Sequence, residues 1–167
     1  MQKTFTFNSI PASAEELSSL AGTDASKDAF HVAALSILAF CRYMEDEESG
    51  ISMLNSLKGP EPLSEREKQF LRDRKREGHS HVPRSYLLGS APDNNYTPSV
   101  PYQIAVSDNP YSYQTDDFAR LLLQSGGADS QRTITLRHKP STDEWFLWEW
   151  MGLLSGIRTP AASDPWA

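Results

Sequence analysis

The sequence predicts an α+β fold in which helices precede an antiparallel sheet. In the first half of the chain, apolar residues recur at helical spacing, and the longest such run covers residues 28–46. After residue 100, apolar and polar residues alternate instead, most clearly at 131–138. Helical patterns followed by strand patterns favour α+β over alternating βαβ units. Because no repeat or low-complexity linker interrupts the 167 residues, we expect a single domain over 1–167.

Four N-terminal helices are predicted, at about residues 13–20, 28–46, 50–58 and 65–77. Capping-box patterns open the first and the last, because Ser13 is followed by Glu16 and Ser64 by Glu67. In the second helix the apolar residues nearly encircle the axis, which is typical of a buried central helix. We therefore expect that helix to form the middle of the core.

The C-terminal sheet is predicted from four strands, at about residues 102–107, 118–125, 131–138 and 145–150. A further alternation at residues 4–7 suits a short strand. We expect an antiparallel meander with one face on the core. Phe146, Trp148 and Trp150 alternate and so should share one face, which we assign to the core. The ring of Trp166 is expected to dock on the body of the protein.

Composition and charge favour a soluble, cytoplasmic protein. The net charge of −6 disfavours binding to nucleic acid or to an anionic membrane, since both need a basic face. The longest apolar stretch, at residues 29–44, falls short of the roughly 20 residues of a membrane span. Residues 1–7 lack the apolar segment of a signal peptide. We therefore expect no membrane partner.

No motif predicts a cofactor or a metal site. Cys41 is the only cysteine, so the chain can form neither an intrachain disulfide nor a cysteine zinc cluster. Its apolar neighbours predict a small buried side chain. A Gly-rich phosphate loop, a nucleophile elbow and a dinucleotide fingerprint are all missing. His79 and His81 could supply two metal ligands, but no acidic third ligand lies near them in sequence.

A segment rich in tyrosine, proline and asparagine, residues 82–113, is the strongest candidate for a site. Five of the six tyrosines fall within it. Tyrosine offers a rigid apolar face with a polar tip, and Asn or Asp beside it supplies hydrogen bonds. We predict a non-enzymatic binding or interaction domain that uses this surface for a polar ligand or a protein partner. The candidate ligand-binding residues are Arg84, Asn95, Tyr96, Tyr102, Asp108, Asn109, Tyr111 and Tyr113.

The same segment also fits an irregular connector whose rings cover the edge of the core. A second alternative is a small enzyme with a pocket between a curved sheet and the helices, as in nuclear-transport-factor-like folds. Its candidate residues are His138, Asp116 or Asp117, and a wall of Trp148 and Trp150. It requires His138 to point inward, on the face of the strand that carries the apolar residues. Whether the chain is an enzyme stays open.

A third alternative uses the basic end of the fourth helix, residues 72–76, to bind nucleic acid or another anion. Cations in the last turn also complement the helix macrodipole, so this cluster needs no ligand to explain it. Because the net charge is −6, nucleic-acid binding is the weakest of the three functional predictions, behind the binding domain and the small enzyme. Exposed aromatic rings leave a homo-oligomer open.

Several segments are distinctive as strings of residues. Among them are Val82-Pro83-Arg84-Ser85-Tyr86, Asn94-Asn95-Tyr96-Thr97-Pro98 and Ser107-Asp108-Asn109-Pro110-Tyr111-Ser112-Tyr113, together with residues 1–11, 57–60, 62–64, 67–74 and 164–167. In these segments the chain resembles a family of small, uncharacterised single-domain proteins from anaerobic gut-type bacteria. The resemblance covers essentially the whole chain. It implies a bacterial source but brings no activity, cofactor or site residue.

Overall fold

The computed structural model describes residues 1–167. Five strands lie in sequence order in one antiparallel sheet: β1 (Gln2–Phe7), β2 (Tyr102–Ser107), β3 (Phe118–Leu123), β4 (Arg132–Lys139) and β5 (Glu144–Glu149). The α-helices are α1 (Ala14–Ala21), α2 (Ala29–Glu45), α3 (Glu47–Lys58) and α4 (Glu65–Arg76). Helix α2 packs across one face of the sheet and contacts all five strands. The α+β prediction is confirmed.

Helix α2 is the centre of the hydrophobic core. The Asp28 side chain caps its N-terminus by accepting a hydrogen bond from the Phe30 amide at 3.0 Å. Nearly every residue of the helix is buried, within one core cluster of 35 residues. Burial raises the pKa of the Cys41 thiol to about 12, so this side chain packs as an uncharged apolar group. The sequence predictions for both the helix and the cysteine are confirmed.

Helix α3 begins at Glu47, three residues before the predicted start at 50. The Asp46 side chain caps it, accepting from the Ser49 amide, and two acidic residues fill its first turn. In the acidic run 45–48, Glu45 thus ends α2, Asp46 caps α3, and Glu47 and Glu48 form its first turn. Gly50 lets α3 approach α2 closely, because a Cβ at this position would lie 2.3 Å from the Tyr43 Cα.

Strand β1 forms one edge of the sheet and makes it five-stranded. It pairs with β2 along its whole length, for example Phe5 with Ile104. The predicted boundaries hold for β2, while β3 ends at Leu123, before the predicted 125. Strands β2 and β3 pair only at two positions and then diverge, so the sheet opens between them. The loop that joins these strands lies at this opening.

A β-bulge at Trp148 divides strand β5 into two halves of opposite parity. Thr135 pairs with Glu149, but the next residue, Leu136, pairs with Leu147, so Trp148 is the extra residue. Side chains before and after an extra residue change faces. Phe146 and Trp148 therefore share the solvent face, whereas Trp150 turns into the core.

The prediction that Phe146, Trp148 and Trp150 share a core face is thus wrong. Trp150 is 1% exposed and packs against Phe40 and Phe70, with ring centroids 4.9 Å and 5.8 Å apart. A regular strand would have placed it beside Trp148. The bulge arises from the pairing of β5 with β4. The alternation of apolar and polar residues along β5 therefore gives no sign of it.

The C-terminal residues follow a short 3₁₀ turn at Met151–Leu154 and run back across the 82–97 segment. Trp166 is 93% exposed, so the prediction that its ring docks is wrong. None of the helices combines the length and the apolar character needed to cross a lipid bilayer.

Candidate functional site

The predicted binding segment splits into two parts with different surroundings. In the first part, residues 82–97, Tyr86 and Tyr96 are buried, at 1% and 0% exposure. Their hydroxyls donate to the carbonyls of Leu153 and Arg158, at 2.5 Å and 2.6 Å. Burial raises the pKa of both phenols. Tyr96 therefore offers no stacking surface, and that part of the prediction is corrected.

Three further candidates hold the first part of the segment in place. Arg84 Nε donates to the Tyr96 carbonyl at 3.1 Å, and the guanidinium lies 5.9 Å from the centroid of the half-buried Tyr102 ring. Asn95 accepts a hydrogen bond from the Ala162 amide at 2.9 Å. These polar groups are used within the chain. Residues 82–97 thus resemble the connector of the alternative interpretation more closely than a binding surface.

The turn between β3 and β4 packs directly on this connector. The Gly126 amide donates to the Ser85 carbonyl at 2.8 Å, and the hydroxyls of Ser125 and Ser85 are 2.7 Å apart. A Cβ on Gly126 would lie 1.8 Å from the Ser90 carbonyl oxygen. Only glycine permits this approach, because the opposing atom belongs to the backbone.

The second part of the segment, the loop from Asp108 to Thr115, keeps its rings in solvent. Tyr111 is 66% exposed and Tyr113 is 52% exposed. Asn109 shapes the turn by accepting from the Tyr111 amide at 2.8 Å. Asp108 accepts from the Tyr113 hydroxyl at 2.9 Å and from the Met1 amino group at 2.8 Å, and these hydrogen bonds lower the pKa of the carboxyl. This loop borders the solvent face of the sheet.

An arginine–aromatic cluster lies on that solvent face. Phe118, Arg137 and Phe146 form one row across β3, β4 and β5, and Trp148 stands beside them at the bulge. The Arg137 guanidinium lies 4.5 Å from the Trp148 ring centroid and 5.5 Å from that of Phe118. We call these four residues the Trp148 face. No helix covers it, since all of the helix packing is on the opposite face or at the β5 edge.

Three adjoining hollows meet at Trp148. The first, of about 290 Å³, lies between the residues after α3 and the ends of β4 and β5. The second, of about 280 Å³, lies between Trp148 and the loop that carries Tyr111. The third, of about 340 Å³, extends towards the start of α4. Tyr111 is therefore the predicted site residue that the structure brings to this surface.

The first hollow is positively charged. Lys58, Arg137 and Lys139 line it, opposed by Glu61 as its one acidic side chain. Lys58 is 5% exposed and lies 3.4 Å from the Glu67 carboxylate. Arg137 and Lys139 make no side-chain hydrogen bond or ion pair within the chain. Sequence reasoning missed this hollow because its lining residues come from α3, the residues after it, β4 and β5.

His138 lies at the far end of β4, on the same face as Ile134 and Leu136 but beyond the core. Its Nε2 is 2.9 Å from Asp143 and its Nδ1 is 3.3 Å from Asp117. The side chain is 21% exposed. The hydrogen bond to Asp143 is the largest cause of a raised pKa for this imidazole, and the one to Asp117 adds to it.

The residues of the enzyme hypothesis converge only in part: His138 contacts Asp117, and His138 and Trp148 both line the first hollow. Trp148 lies on the solvent face, Trp150 lies in the core, and Asp116 is exposed. A hollow of about 230 Å³ does lie between the sheet and the helices, lined by Trp145 and by side chains of α1, α2 and α3. His138 is not among its lining residues.

The basic end of α4 is engaged within the protein. Arg76 pairs with Asp73 at 2.8 Å, Lys75 lies 3.5 Å from Glu47, and Arg72 donates to Gln69. The Arg74 guanidinium stacks on the Phe70 ring at 4.7 Å. These contacts support the interpretation that the cluster serves the helix end. Two of its four cations are paired with carboxylates, and the buried Arg74 Nε has no hydrogen-bond partner.

The fold and this surface define a class: an α+β protein with a five-stranded antiparallel sheet whose solvent face carries an arginine over a pair of aromatic rings. The chain belongs to the family described as a domain of unknown function, DUF6935, whose model matches residues 9–161. The predicted resemblance to a domain of unknown function is thereby confirmed. Comparison with curated proteins and with solved structures found no match.

Proposed function

We propose that this chain is a single, non-enzymatic binding domain over residues 1–167 and that it binds its ligand on the Trp148 face. The observation that carries this proposal is the meeting of three hollows at one half-buried tryptophan on an uncovered sheet face. Ligand sites are concave, largely apolar and furnished with a few well-placed polar groups. The Trp148 face has concave hollows, aromatic rings at their meeting point and charged groups around them.

The energetic cost of this surface supports a binding role. Phe118, Phe146 and Trp148 are all only partly buried, although apolar area removed from water contributes about 25 cal/mol per Å². Clustered aromatic rings on a solvent face are therefore a cost in the free protein, and contiguous apolar patches of this kind mark interaction sites. A bound ligand would recover that free energy.

Part of the originally predicted segment contributes to the proposed site. Tyr111 lines the second hollow opposite Trp148, and Asn109 and Ser112 set the position of its loop. Residues 82–97 instead contact α2, the β3–β4 turn and β2. We therefore assign recognition to the Asp108–Thr115 loop and the Trp148 face together.

The test is a thermal-shift screen of small metabolites, nucleotides, sugars and peptides, repeated on two variants. A ligand at 100 times its dissociation constant stabilises by about 2.7 kcal/mol, which raises Tm by roughly 5–10 °C in a domain of this size. Trp148→Ala should abolish the shift. Trp166→Ala is the matched control and should retain it, because this exposed ring contacts none of the hollows.

Ligands whose shifts survive in Trp148→Ala would place binding elsewhere and contradict the proposal. The same holds if no compound and no peptide stabilises the wild-type protein. The enzyme alternative has less support, because both ring nitrogens of His138 already face carboxylates. A cytoplasmic location, a bacterial source and a homo-oligomer stay predictions.

A further inference from the structure

The Arg137 guanidinium has N–H groups with no acceptor side chain in the protein, so they can bind an anion. The guanidinium lies over the edge-to-face pair formed by Trp148 and Phe118, at 4.5 Å and 5.5 Å from the two ring centroids, which are themselves 5.9 Å apart. Stacking fixes the plane of a guanidinium while its N–H groups stay at the edge, and those groups match a carboxylate or a phosphate. Within the chain, these N–H groups meet no acceptor side chain. The side chain is thus ordered by the rings and unused as a donor.

Further cations surround the same hollow. Lys139 follows Arg137 by two residues and has no ion-pair partner either. Lys58 lies over the Trp148 ring at 5.9 Å, and its partner Glu67 also accepts a hydrogen bond from the Trp150 indole at 2.8 Å. Because the Glu67 carboxylate is shared between Lys58 and the Trp150 indole, it neutralises the Lys58 charge only in part. Lys58 can therefore still attract a second anion. Glu61 is the one acidic group on the rim.

Part of the wall of this charged hollow is flat and apolar. Phe146 and Trp148 form one side, and Pro60 and Pro140 form the rim. A volume of about 290 Å³ lies just below the roughly 300–1,000 Å³ usual for ligand pockets. A macromolecular segment would need a longer groove. The dimensions suit a small molecule with one ring system.

From this arrangement we propose that the hollow between Lys58 and Arg137 binds a small organic anion, a carboxylate or phosphate ester attached to a flat ring. The anionic group lies against the edge of Arg137 and the ammonium of Lys139, and the ring lies against Phe146 and Trp148. This inference rests on the proposed function and names the class of ligand that the Trp148 face takes.

The experiment uses the full chain in nuclear magnetic resonance titrations observing the Arg137 Nε–Hε and Trp148 indole N–H signals. Three probes are added in turn: phenyl phosphate, phenylacetate and benzyl alcohol. The two anions should shift both signals saturably, and whichever binds more tightly identifies the anionic group. Benzyl alcohol should bind at least about tenfold more weakly, because charge-assisted hydrogen bonds to arginine are lost.

Arg137→Gln should weaken the anions by at least about tenfold and leave benzyl alcohol unchanged. Arg76→Gln is the matched control: it removes an exposed arginine that lines none of the three hollows, and should leave all affinities within about twofold. Equal affinity for all three probes, with no effect of Arg137→Gln, would overturn the inference of an anionic ligand. The Trp148 face would in that case still be a binding site, for an uncharged ligand. Absence of any shift with the anions would also overturn it, while the screen above tests the proposed function separately.

Discussion

At the scale of single residues, His138 links two turns of unusual geometry. Asp117 and Asp143, which both face its ring, have φ values of +62° and +54°. Positive φ is uncommon for any residue other than glycine, although Asp tolerates it better than most. The imidazole thus ties together the turn before β3 and the turn between β4 and β5. Its role in the fold is to hold two loops at one end of the sheet.

The pKa of His138 is expected to lie above its ordinary value of 6.5 in the folded protein, mainly because of the Asp143 hydrogen bond. A raised folded pKa means that this contact stabilises fully at pH values below the unfolded pKa. The contribution is lost as pH rises through the folded pKa. Titration of the imidazole by nuclear magnetic resonance measures the value directly. Asp143→Asn should lower it, whereas Asp116→Asn should leave it unchanged.

An unchanged His138 pKa in Asp143→Asn would contradict this account. The titration must be resolved residue by residue, because burial lowers the pKa of His31 and of His81. A lowered pKa has the opposite linkage: that part of the stability is lost as pH falls. A bulk stability curve against pH would therefore mix contributions of both signs.

At the scale of elements, α4 depends on one carboxylate. The helix buries only Leu71 completely, yet Glu67 reaches three groups at once. It accepts from the Ser64 amide at 3.0 Å and from the Trp150 indole at 2.8 Å, and it lies 3.4 Å from Lys58. Glu67, which completes the capping box of α4, therefore also links this helix to Lys58 of α3 and to Trp150 after β5.

Glu67→Ala is expected to destabilise the protein by about 2–3 kcal/mol, because it removes charge-assisted hydrogen bonds and leaves a buried ammonium and indole N–H without partners. Glu65→Ala, in the same helical turn, should change stability by less than about 0.5 kcal/mol, since its side chain is exposed and meets only Lys68. Urea unfolding of the two variants measures both values. Equal effects of the two substitutions would show that Glu67 acts only as an ordinary first-turn residue.

Local chemistry explains why the helices could be predicted from sequence. Asp28 and Ser64 are N-caps whose partners lie two or three residues away, so the signal is contained in a short window. Strand β5 shows the opposite case. The bulge at Trp148 arises from pairing with β4, and one extra residue moved Trp150 from the predicted face to the other.

At the scale of the whole molecule, the 82–97 connector is clamped between the β3–β4 turn and the C-terminal residues. Gly126 and Ser125 contact it from one side. Tyr86 and Tyr96 donate to carbonyls of residues 153 and 158 on the other. Tyrosine thus serves here as a buried apolar body with one satisfied donor. The composition of residues 82–113 predicted a recognition surface, but the first part of this segment, residues 82–97, packs within the fold.

Tyr96→Phe and Tyr111→Phe separate these two uses of tyrosine. Tyr96→Phe should cost about 1–2 kcal/mol, because it leaves the Arg158 carbonyl without its hydroxyl donor. Tyr111→Phe should change stability by less than about 0.5 kcal/mol, since that ring is 66% exposed. Thermal unfolding measures both, and faster amide exchange at residues 155–160 in Tyr96→Phe would locate the loss. A neutral Tyr96→Phe would contradict the clamp.

The candidate site illustrates the limit of sequence reasoning. Alternation along β4 already placed Arg137 opposite the core face of Ile134 and Leu136. Nothing in the sequence shows that Phe118 and Trp148 contact it, because these residues are 19 and 11 positions away and meet it through strand register and a bulge. Tyr111 was predicted, and the structure brings it to the edge of this surface.

The sequence by itself determined the α+β class, the four helices, the buried central helix and the uncharged cysteine, because periodicity, capping and burial preference act within a few residues. Only the tertiary structure decided which face Trp148 and Trp150 take, that β1 completes the sheet beside β2, and that Tyr96 is interior while Tyr111 is not. Those outcomes depend on pairing and packing between residues far apart in the chain. The free energy of such a contact depends on both residues together, so it cannot be inferred from the sequence around either one alone.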